Sequence, residues 1–228
     1  MSLVDIALSI VALFPAIIFH EVAHGYVAFR LGDPTAKAKG RLTFNPIEHV
    51  DLMGTIIVPL LLVVMRSPFL FGWAKPVPVN PQYFLNPFKG MLYVAIAGPA
   101  TNIALALATT VVGRIAIRAV PDSFFFADRY TLPANITQVI FFLLGMFVIF
   151  NIILAFFNMI PVPPLDGSRV LAYFLPPAGR RAMITLERYG FFILLAIILL
   201  GGLQPLFGLI DGIPQALLGI RWLFLAFH

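Results

Sequence analysis

The sequence predicts an all-α membrane protein that crosses the bilayer several times. Of its 228 residues, 61% are hydrophobic and only 11% are charged, and the mean hydropathy of +0.98 excludes an ordinary soluble domain. A membrane-spanning helix needs about 20 apolar residues, and several runs have that length. They lie at about 3–30, 90–113, 135–160 and 189–210, with shorter candidates near 52–65 and 213–227. We therefore expect four to six membrane segments.

The same pattern indicates one integral-membrane domain over residues 1–228, with a core at about 3–175 and C-terminal membrane segments at about 189–228. The first run lacks a basic start and carries two histidines, so we expect it to be retained as a helix. Cysteine is absent, which leaves His, Asp and Glu as metal ligands. The net charge of +5 lies mainly in short loops, where it reports membrane topology. We expect a surrounding lipid bilayer and no nucleic-acid partner.

Proline and charge divide the chain between these runs. Three basic residues follow the first helix and indicate an aqueous loop: Lys37, Lys39 and Arg41. Prolines interrupt residues 45–81, where only the short run 52–65 is apolar, and this run either spans the bilayer or dips in and returns. We therefore expect a re-entrant or short β element between the first and second full spans. A later helix must stop near Ile160, because the prolines that follow cannot continue it.

One motif in the first run carries the chemistry, His20-Glu21-Val22-Ala23-His24. Residues four apart share one face of a helix, so His20 and His24 point two imidazoles at one place, with Glu21 beside them. Zinc held in this way lowers the pKa of a bound water towards about 7, and the neighbouring carboxylate can take its proton. The alternative is a pair of packing histidines with Glu21 hydrogen-bonded between helices. We favour zinc, because a charged side chain in lipid costs about 2.5 kcal/mol or more and a metal would compensate that cost.

A zinc site of this type needs a third protein ligand. The candidates by residue type are Glu48, His49, Asp51 and Asp166. Glu48 follows the second histidine at a spacing compatible with soluble zincins, whereas His49 and Asp51 more simply cap a loop than support the site. Asp166 lies in a Pro-Pro-Leu-Asp-Gly turn after a membrane segment, where the prolines unwind the chain and Gly167 permits a bend back toward the first helix. We favour Asp166 and keep Glu48 as the alternative.

Membrane topology gives an independent reason for this choice. His24 lies about 9 Å along the helix from Arg30, so the metal would sit near the end of the first helix that meets the basic loop. If 52–65 spans the bilayer, Asp166 falls on the opposite side; if 52–65 re-enters, Asp166 returns beside His24. The re-entrant topology also collects most Lys and Arg residues on the histidine side. The positive-inside rule then places the site toward the cytosol.

Three motifs follow one another along the chain: His20-Glu21-x-x-His24, then Gly98-Pro99-x-x-Asn102, then Asn158-x-x-Pro161-x-Pro163-x-Leu165-Asp166-Gly167. In this order they resemble the site-2 protease family of intramembrane zinc metalloproteases, in its compact branch without PDZ or CBS domains. The resemblance implies zinc bound by His20, His24 and Asp166. It also implies that Glu21 is the general base and that Asn158 and Asn102 are active-site polar groups.

The resemblance further implies regulated intramembrane proteolysis, in which a transmembrane helix of another membrane protein is cut. We expect an integral protein of a prokaryotic inner membrane with its active site toward the cytosol, and a homo-oligomer is compatible with this reading. Two other functions stay open. They are a non-proteolytic membrane protein with a structural zinc site, and a metal transporter.

A helical substrate must unwind before its peptide bonds can be attacked, and lipid offers no replacement hydrogen-bond partners. We expect the proline-punctuated stretch 71–81 to present a strand edge to the substrate. The alternative is that Pro76 and Pro78 only stiffen a loop. The side-chain amide of Asn158 or Asn102 would stabilise the oxyanion, or either asparagine would hold helices together.

Overall fold

The computed structural model describes residues 3–65, 73–121, 132–202, 204, 208, 210 and 212–227. Regular structure within these ranges is helical, and none of it is a strand. The α-helices are α1 (Leu3–Arg30), α2 (Thr35–Ala38), α3 (Val58–Val64), α4 (Pro87–Ala116), α5 (Leu132–Asn158), α6 (Asp166–Phe174), α7 (Pro177–Glu187), α8 (Gly190–Leu199), α9 (Gly212–Leu218) and α10 (Ile220–Phe227). Short 3₁₀ turns occupy Pro46–His49, Pro81–Tyr83 and Ile117–Ala119, and a π-helix occupies Leu52–Ile57. The predicted helical class is confirmed for this part of the chain.

Three of the described helical stretches are long and apolar enough to cross a membrane. They are Ile6–Arg30, Pro87–Ala119 and Ile136–Asn158, with mean hydropathies of 2.1, 1.7 and 2.9. Helices α1, α4 and α5 pack against one another in all three pairings. The asparagine-rich end of α5 and the histidine-bearing half of α1 therefore share one three-helix core.

Two apolar runs form shorter helices than the sequence predicts. The run 52–65 folds as the π-helix followed by α3, which together reach about 20 Å at the rise of a helix, against about 30 Å of hydrocarbon. In the run 189–210, α8 ends at Leu199, and Gly201 adopts a left-handed φ of +74° that stops the helix. Four to six spans are therefore not confirmed, since three described helices have spanning length.

The C-terminal helices close one end of the core. Trp222 is fully buried and its Nε1–H donates to the carbonyl of Phe141 on α5, 2.9 Å away. A Cβ at Gly113 of α4 would lie 2.0 Å from the Trp222 ring, so only glycine allows this contact. Arg114 donates to the carbonyls at the end of α9. These contacts fix α9 and α10 against α4 and α5, far from the histidines.

Residues 73–80 have no regular secondary structure. Asn80 is extended and Pro76 and Pro78 favour an extended backbone at the residues before them, so we call this stretch the extended segment. The N–H of Trp73 donates to the carbonyl of Gly54 at 3.0 Å, and the N–H of Lys75 donates to the carbonyl of His49 at 2.9 Å. The predicted stretch began at residue 71, and residues 71 and 72 lie outside the described residues. The described residues of this stretch therefore contain no β element. They form one segment that is held along one side by hydrogen bonds of its N–H groups.

Two buried charged side chains hold this segment in place. Arg41, predicted to lie in an aqueous loop, is only 5% exposed and donates to the carbonyls of Glu48 and Lys75. Its guanidinium thereby joins the loop that follows α2 to the start of this segment. At the other end, the fully buried carboxylate of Asp33 accepts from the N–H of Asn80 at 2.6 Å. The segment is therefore a fixed wall beside α1.

Candidate metal centre

The two histidines of α1 meet as their spacing predicts. One helical turn separates His20 and His24, and their Nε2 atoms lie 3.0 Å apart. Both side chains are buried. Room for the two rings comes from α4, because a Cβ at Gly98 would lie 2.5 Å from His24 Nε2 and 2.6 Å from His20 Cε1. The glycine of the second motif thus lets α4 approach the imidazoles.

Asp166 completes the cluster as the first residue of α6. Its Oδ2 lies 3.2 Å from His20 Nε2 and 3.1 Å from His24 Nε2. The turn that brings it there depends on Gly167, whose Cβ would lie 2.2 Å from the carbonyl oxygen of Met159. The sequence predicts that Gly167 permits a bend. In the structure Gly167 lies in α6 and lets this helix approach the backbone of Met159 closely. Among the described residues, these three side chains form the one group able to hold a metal ion.

Hydrogen bonds behind the rings set the tautomers. His20 Nδ1 lies 2.5 Å from Asn102 Oδ1, and His24 Nδ1 lies 2.6 Å from the carbonyl oxygen of Val94. Both partners are acceptors, so each Nδ1 carries the proton and each neutral ring presents an Nε2 lone pair to the cluster. This is the arrangement that metal-binding histidines use.

The cluster can hold a cation at its centre. Two imidazole lone pairs and a carboxylate oxygen face one another at 3.0–3.2 Å, and the buried Asp166 Oδ2 has no hydrogen-bond donor. Ligand atoms of a tetrahedral zinc stand about 3.3 Å apart, given bonds of about 2.0 Å. Burial alone would raise the pKa of the Asp166 carboxyl, but the adjacent imidazoles of His20 and His24 lower this pKa below its usual range. The two imidazole nitrogens and the carboxylate oxygen can therefore hold a zinc ion, or a proton at the place of the zinc.

Glu21 lies beside the cluster but is not one of its three members. Its Oε2 accepts from the N–H of Val77 at 2.8 Å, which ties it to the extended segment. Glu21 and the three clustered side chains line a cavity of about 790 Å³. The other walls come from residues 76–79, from the first turns of α4, from the end of α5 and the prolines that follow it, and from helices α6 and α7. A carboxylate thus faces a cavity that is large enough for an unwound peptide segment.

The two predicted active-site asparagines occupy different places. Asn158 lines the cavity, and its Nδ2 donates to the carbonyl of Leu154 in its own helix at 2.9 Å. Asn102 is fully buried behind His20, with its amide hydrogens directed to the carbonyl of Ala16 and to Asn151 Oδ1. Asn158 is therefore placed to reach a bound peptide, whereas Asn102 is placed to hold a ring.

Comparison with known proteins gives the family. The family model described as Peptidase family M50 matches residues 8–201, which is most of the chain. The chain belongs to peptidase family M50. The matched range covers nearly all of the three described helices of spanning length, and this M50 chain is an integral membrane protein. The predicted resemblance is thereby confirmed.

Curated relatives of this M50 chain occur in bacteria and archaea. "Putative zinc metalloprotease YwhC" of Bacillus subtilis is 37% identical over 188 residues, which cover 82% of this chain and 78% of that protein. "Putative zinc metalloprotease Rip2" of Mycolicibacterium smegmatis is 26% identical over 82% of this chain and 65% of its own length. "Putative zinc metalloprotease MJ0611" of Methanocaldococcus jannaschii is 28% identical over 75% of this chain and 73% of its own. No solved structure matches the chain significantly.

The other candidate ligands of the M50 chain lie in the loop that follows α1 and α2. Glu48 is exposed, and its carbonyl accepts from Arg41. His49 is buried with its Nε2 at 2.8 Å from the carbonyl of Thr43. Asp51 accepts from the N–H of Gly54 and caps the π-helix. None of the three belongs to the cluster of His20, His24 and Asp166.

Sequence reasoning missed several residues that shape the M50 site. Asn151 is fully buried and accepts a hydrogen bond from Asn102. The sequence signal that could have found it is an amide side chain within the apolar run of α5. The roles of Asp33 and Arg41 in holding the extended segment depend on distant backbone groups, so no local pattern announces them. Val77 likewise contacts Glu21 through its backbone N–H, which every residue but proline has.

Proposed function

We propose that this chain is an intramembrane zinc metallopeptidase that hydrolyses peptide bonds within or near the transmembrane helices of other membrane proteins. One observation carries the proposal: the metal-binding atoms of His20, His24 and Asp166 converge beside Glu21 at a peptide-sized cavity. Membership of family M50 supports peptide hydrolysis. The names of the relatives support zinc as the metal.

In this mechanism His20, His24 and Asp166 hold the zinc and Glu21 moves the proton. Zinc, when bound, activates water and polarises the substrate carbonyl. The Val77 N–H holds one oxygen of Glu21 and so aims the carboxylate into the cavity. Glu21 takes the proton of the attacking water and later delivers it to the nitrogen of the departing amine.

Asn158 and Asn102 take separate roles in the proposal. The amide of Asn158 would turn from the Leu154 carbonyl toward the developing oxyanion, since the side chain lines the cavity and is only half-buried. Such a donor contributes about 10²–10³-fold in rate. Asn102 would act through His20, by holding the ring in the orientation that presents Nε2 to the metal.

The substrate would bind as an extended chain along residues 73–80. One edge of this segment is occupied, because the N–H groups of Trp73, Lys75 and Val77 already donate to the protein. The residues between these include Pro76 and Pro78, which offer carbonyls and no N–H. The Pro76 carbonyl already accepts from Arg41 at 3.4 Å and keeps a second lone pair for a substrate. A substrate strand would donate its N–H groups to these carbonyls and leave its own carbonyls available for attack.

We further propose that the site opens toward the cytosol of a prokaryotic cell, in its inner membrane. Asp166 and His24 lie together although the two long helices α4 and α5 separate them in the chain, which supports a re-entrant 52–65. The basic residues then gather on the histidine side, in agreement with the positive-inside rule. Further spans in the C-terminal part, to a total of four to six, belong to the same proposal.

Substitution of Glu21 by Gln tests the function directly. We expect Glu21→Gln to retain zinc, since Glu21 is outside the three-ligand group, and to reduce cleavage by about 10²–10⁴-fold through loss of the base. Substrates would be found by comparing the membrane proteomes of cells that express the wild type and the variant. The readouts are the cleavage products that the wild type forms and the zinc content of both proteins, measured by metal analysis. Full activity in Glu21→Gln would contradict the proposal.

Metal transport is the other function to separate from proteolysis. A transporter needs a path of ionisable groups across the membrane, but α5 contains no Asp, Glu, His, Lys or Arg and α4 contains only Lys89 and Arg114, near its two ends. A purely structural zinc site would use Glu21 for its hydrogen bond with Val77, but would give no role to a carboxylate beside the zinc ligands on the cavity wall. Both observations favour hydrolysis.

A further inference from the structure

A line of buried amides runs behind His20 through all three long helices. Asn102 on α4 accepts from the ring through Oδ1 at 2.5 Å. Asn102 Nδ2 donates to Asn151 Oδ1 on α5 at 2.7 Å, and Asn151 Nδ2 donates to the carbonyl of Phe147 at 2.7 Å. Both asparagines are 0% exposed. The line therefore starts at a backbone carbonyl of α5 and ends at a ring nitrogen of α1.

The direction of every bond in this line follows from its first member. The Phe147 carbonyl can only accept, so Asn151 must turn its NH₂ group toward that carbonyl and its Oδ1 toward Asn102. Asn102 must then present its NH₂ group to Asn151, and the carbonyl of Ala16 accepts its second hydrogen at 3.2 Å. The Oδ1 of Asn102 is left to face His20, whose Nδ1 must carry the proton.

We propose that Asn151 is a positioning residue of the metal centre. Through Asn102 it holds His20 as the Nδ1–H tautomer, and this leaves the Nε2 lone pair for the metal. Asn151 does not line the cavity, so it acts on the metal without touching metal or substrate. The inference rests on the proposed function in one respect, because it takes His20 as a metal ligand.

The competing role for Asn151 is to hold helices together, as hydrogen bonds between membrane helices do. That role predicts a less stable protein whose folded fraction binds zinc normally. A positioning role predicts a folded protein with weakened zinc binding, since loss of a group that orients a ligand costs about 10–100-fold in metal affinity. Zinc affinity of the folded protein separates the two.

The experiment uses the full chain in detergent micelles, stripped of metal and titrated with zinc against a chromophoric chelator. Asn151→Leu keeps the number and branching of the side-chain heavy atoms and removes the bonds. Asn151→Asp keeps an oxygen acceptor toward Asn102 in either protonation state. Thr110→Val is the matched control, since Thr110 is a buried hydroxyl on α4 without a hydrogen-bond partner. Size-exclusion profiles and thermal unfolding show which variants are folded.

We expect Asn151→Leu to weaken zinc binding at least tenfold, and Asn151→Asp and Thr110→Val to stay within about threefold of the wild type. Wild-type affinity in folded Asn151→Leu would overturn the inference and leave the zinc site intact. Equal losses in the Leu and Asp variants would also overturn it, because the acceptor would then be irrelevant. A wild type that binds no zinc would overturn this inference and the proposed function together.

A second measurement tests the proposal even if Asn151→Leu does not fold. Nitrogen NMR of imidazole-labelled wild-type protein, with the His20 signals assigned by comparison with His20→Gln, reports which ring nitrogen is protonated. We expect protonated Nδ1 and unprotonated Nε2 at His20 in the metal-free protein at a pH where the ring is neutral. The opposite tautomer would overturn the proposal.

Discussion

At the scale of single residues, the metal centre depends on donors from distant parts of the chain. His20 and His24 come from one turn of α1, whereas Asp166 arrives at the start of α6. Glu48 is nearer in sequence but is exposed in the loop after α2. Zinc content therefore distinguishes the two candidate third ligands.

We expect Asp166→Ala to lose most of its zinc and Glu48→Ala to keep a full complement. The physical reason is that removal of Asp166 leaves two neutral imidazoles, one ligand fewer than zinc sites of this type hold. Metal analysis of the three purified proteins, including the wild type, checks the prediction. Zinc loss in Glu48→Ala alone would show that Glu48 is the third ligand instead of Asp166, and it would exclude the proposed topology.

Gly98 provides a second prediction at this scale. An added Cβ would lie 2.5 Å from His24 Nε2, so Gly98→Ala must displace either the imidazoles or α4. Overpacking of this kind costs about 1–3 kcal/mol, which is roughly 5–150-fold when it falls on zinc affinity. The matched control is Gly212→Ala, since a Cβ there meets nothing within 4 Å. Equal zinc affinity in both variants would show that the rings do not need this space.

At the scale of elements, the extended segment 73–80 connects the metal centre to the proposed substrate site. Its middle holds Glu21 through the Val77 N–H, and its two ends are held by the Gly54 carbonyl and by Asp33. Displacing one end should therefore alter peptide cleavage more than it alters metal binding.

Gly54→Ala tests this connection. A Cβ at Gly54 would lie 2.3–2.4 Å from three ring atoms of Trp73, and a fused ring cannot bend away. We expect the first residues of the segment to move, cleavage to fall at least about fivefold for a cost of about 1 kcal/mol or more, and zinc content to stay unchanged. Kinetics beside metal analysis supply the readouts. Unchanged cleavage in a folded variant would show that the segment does not contribute to peptide binding.

At the scale of the whole molecule, the proposed topology assigns loops to sides of the membrane. The loop after α1 and helix α7 should share the cytosolic side with the site, while the end of α4 should lie opposite. The chain contains no cysteine, so single introduced cysteines report accessibility without background.

We expect Lys39→Cys and Arg181→Cys to react with a membrane-impermeant thiol reagent from the cytosolic side, and Arg118→Cys to react from the other side. All three native side chains are exposed, so burial does not limit labelling. Inverted and right-side-out vesicles give the two orientations. Labelling of positions 39 and 181 from opposite sides would exclude a re-entrant 52–65.

Features that repeat or follow one another locally along the chain could be predicted from the sequence. Apolar length predicts α1, α4 and α5, because a helix that faces lipid must be apolar over its full span. Helical periodicity predicts that His20 and His24 converge, since residues four apart share a face. The order of the three motifs predicts the family.

The roles of residues that lie far apart in the sequence became clear only from the folded structure. Apolarity does not specify where helices end, so the C-terminal run could be predicted as a span although α8 ends after Leu199 and Gly201 turns the chain. The role of Asn102 depended on which side of α4 faces His20, and that of Asn151 on a partner in another helix. These roles arise from the approach of three helices, and packing between helices is a long-range property that no local pattern encodes.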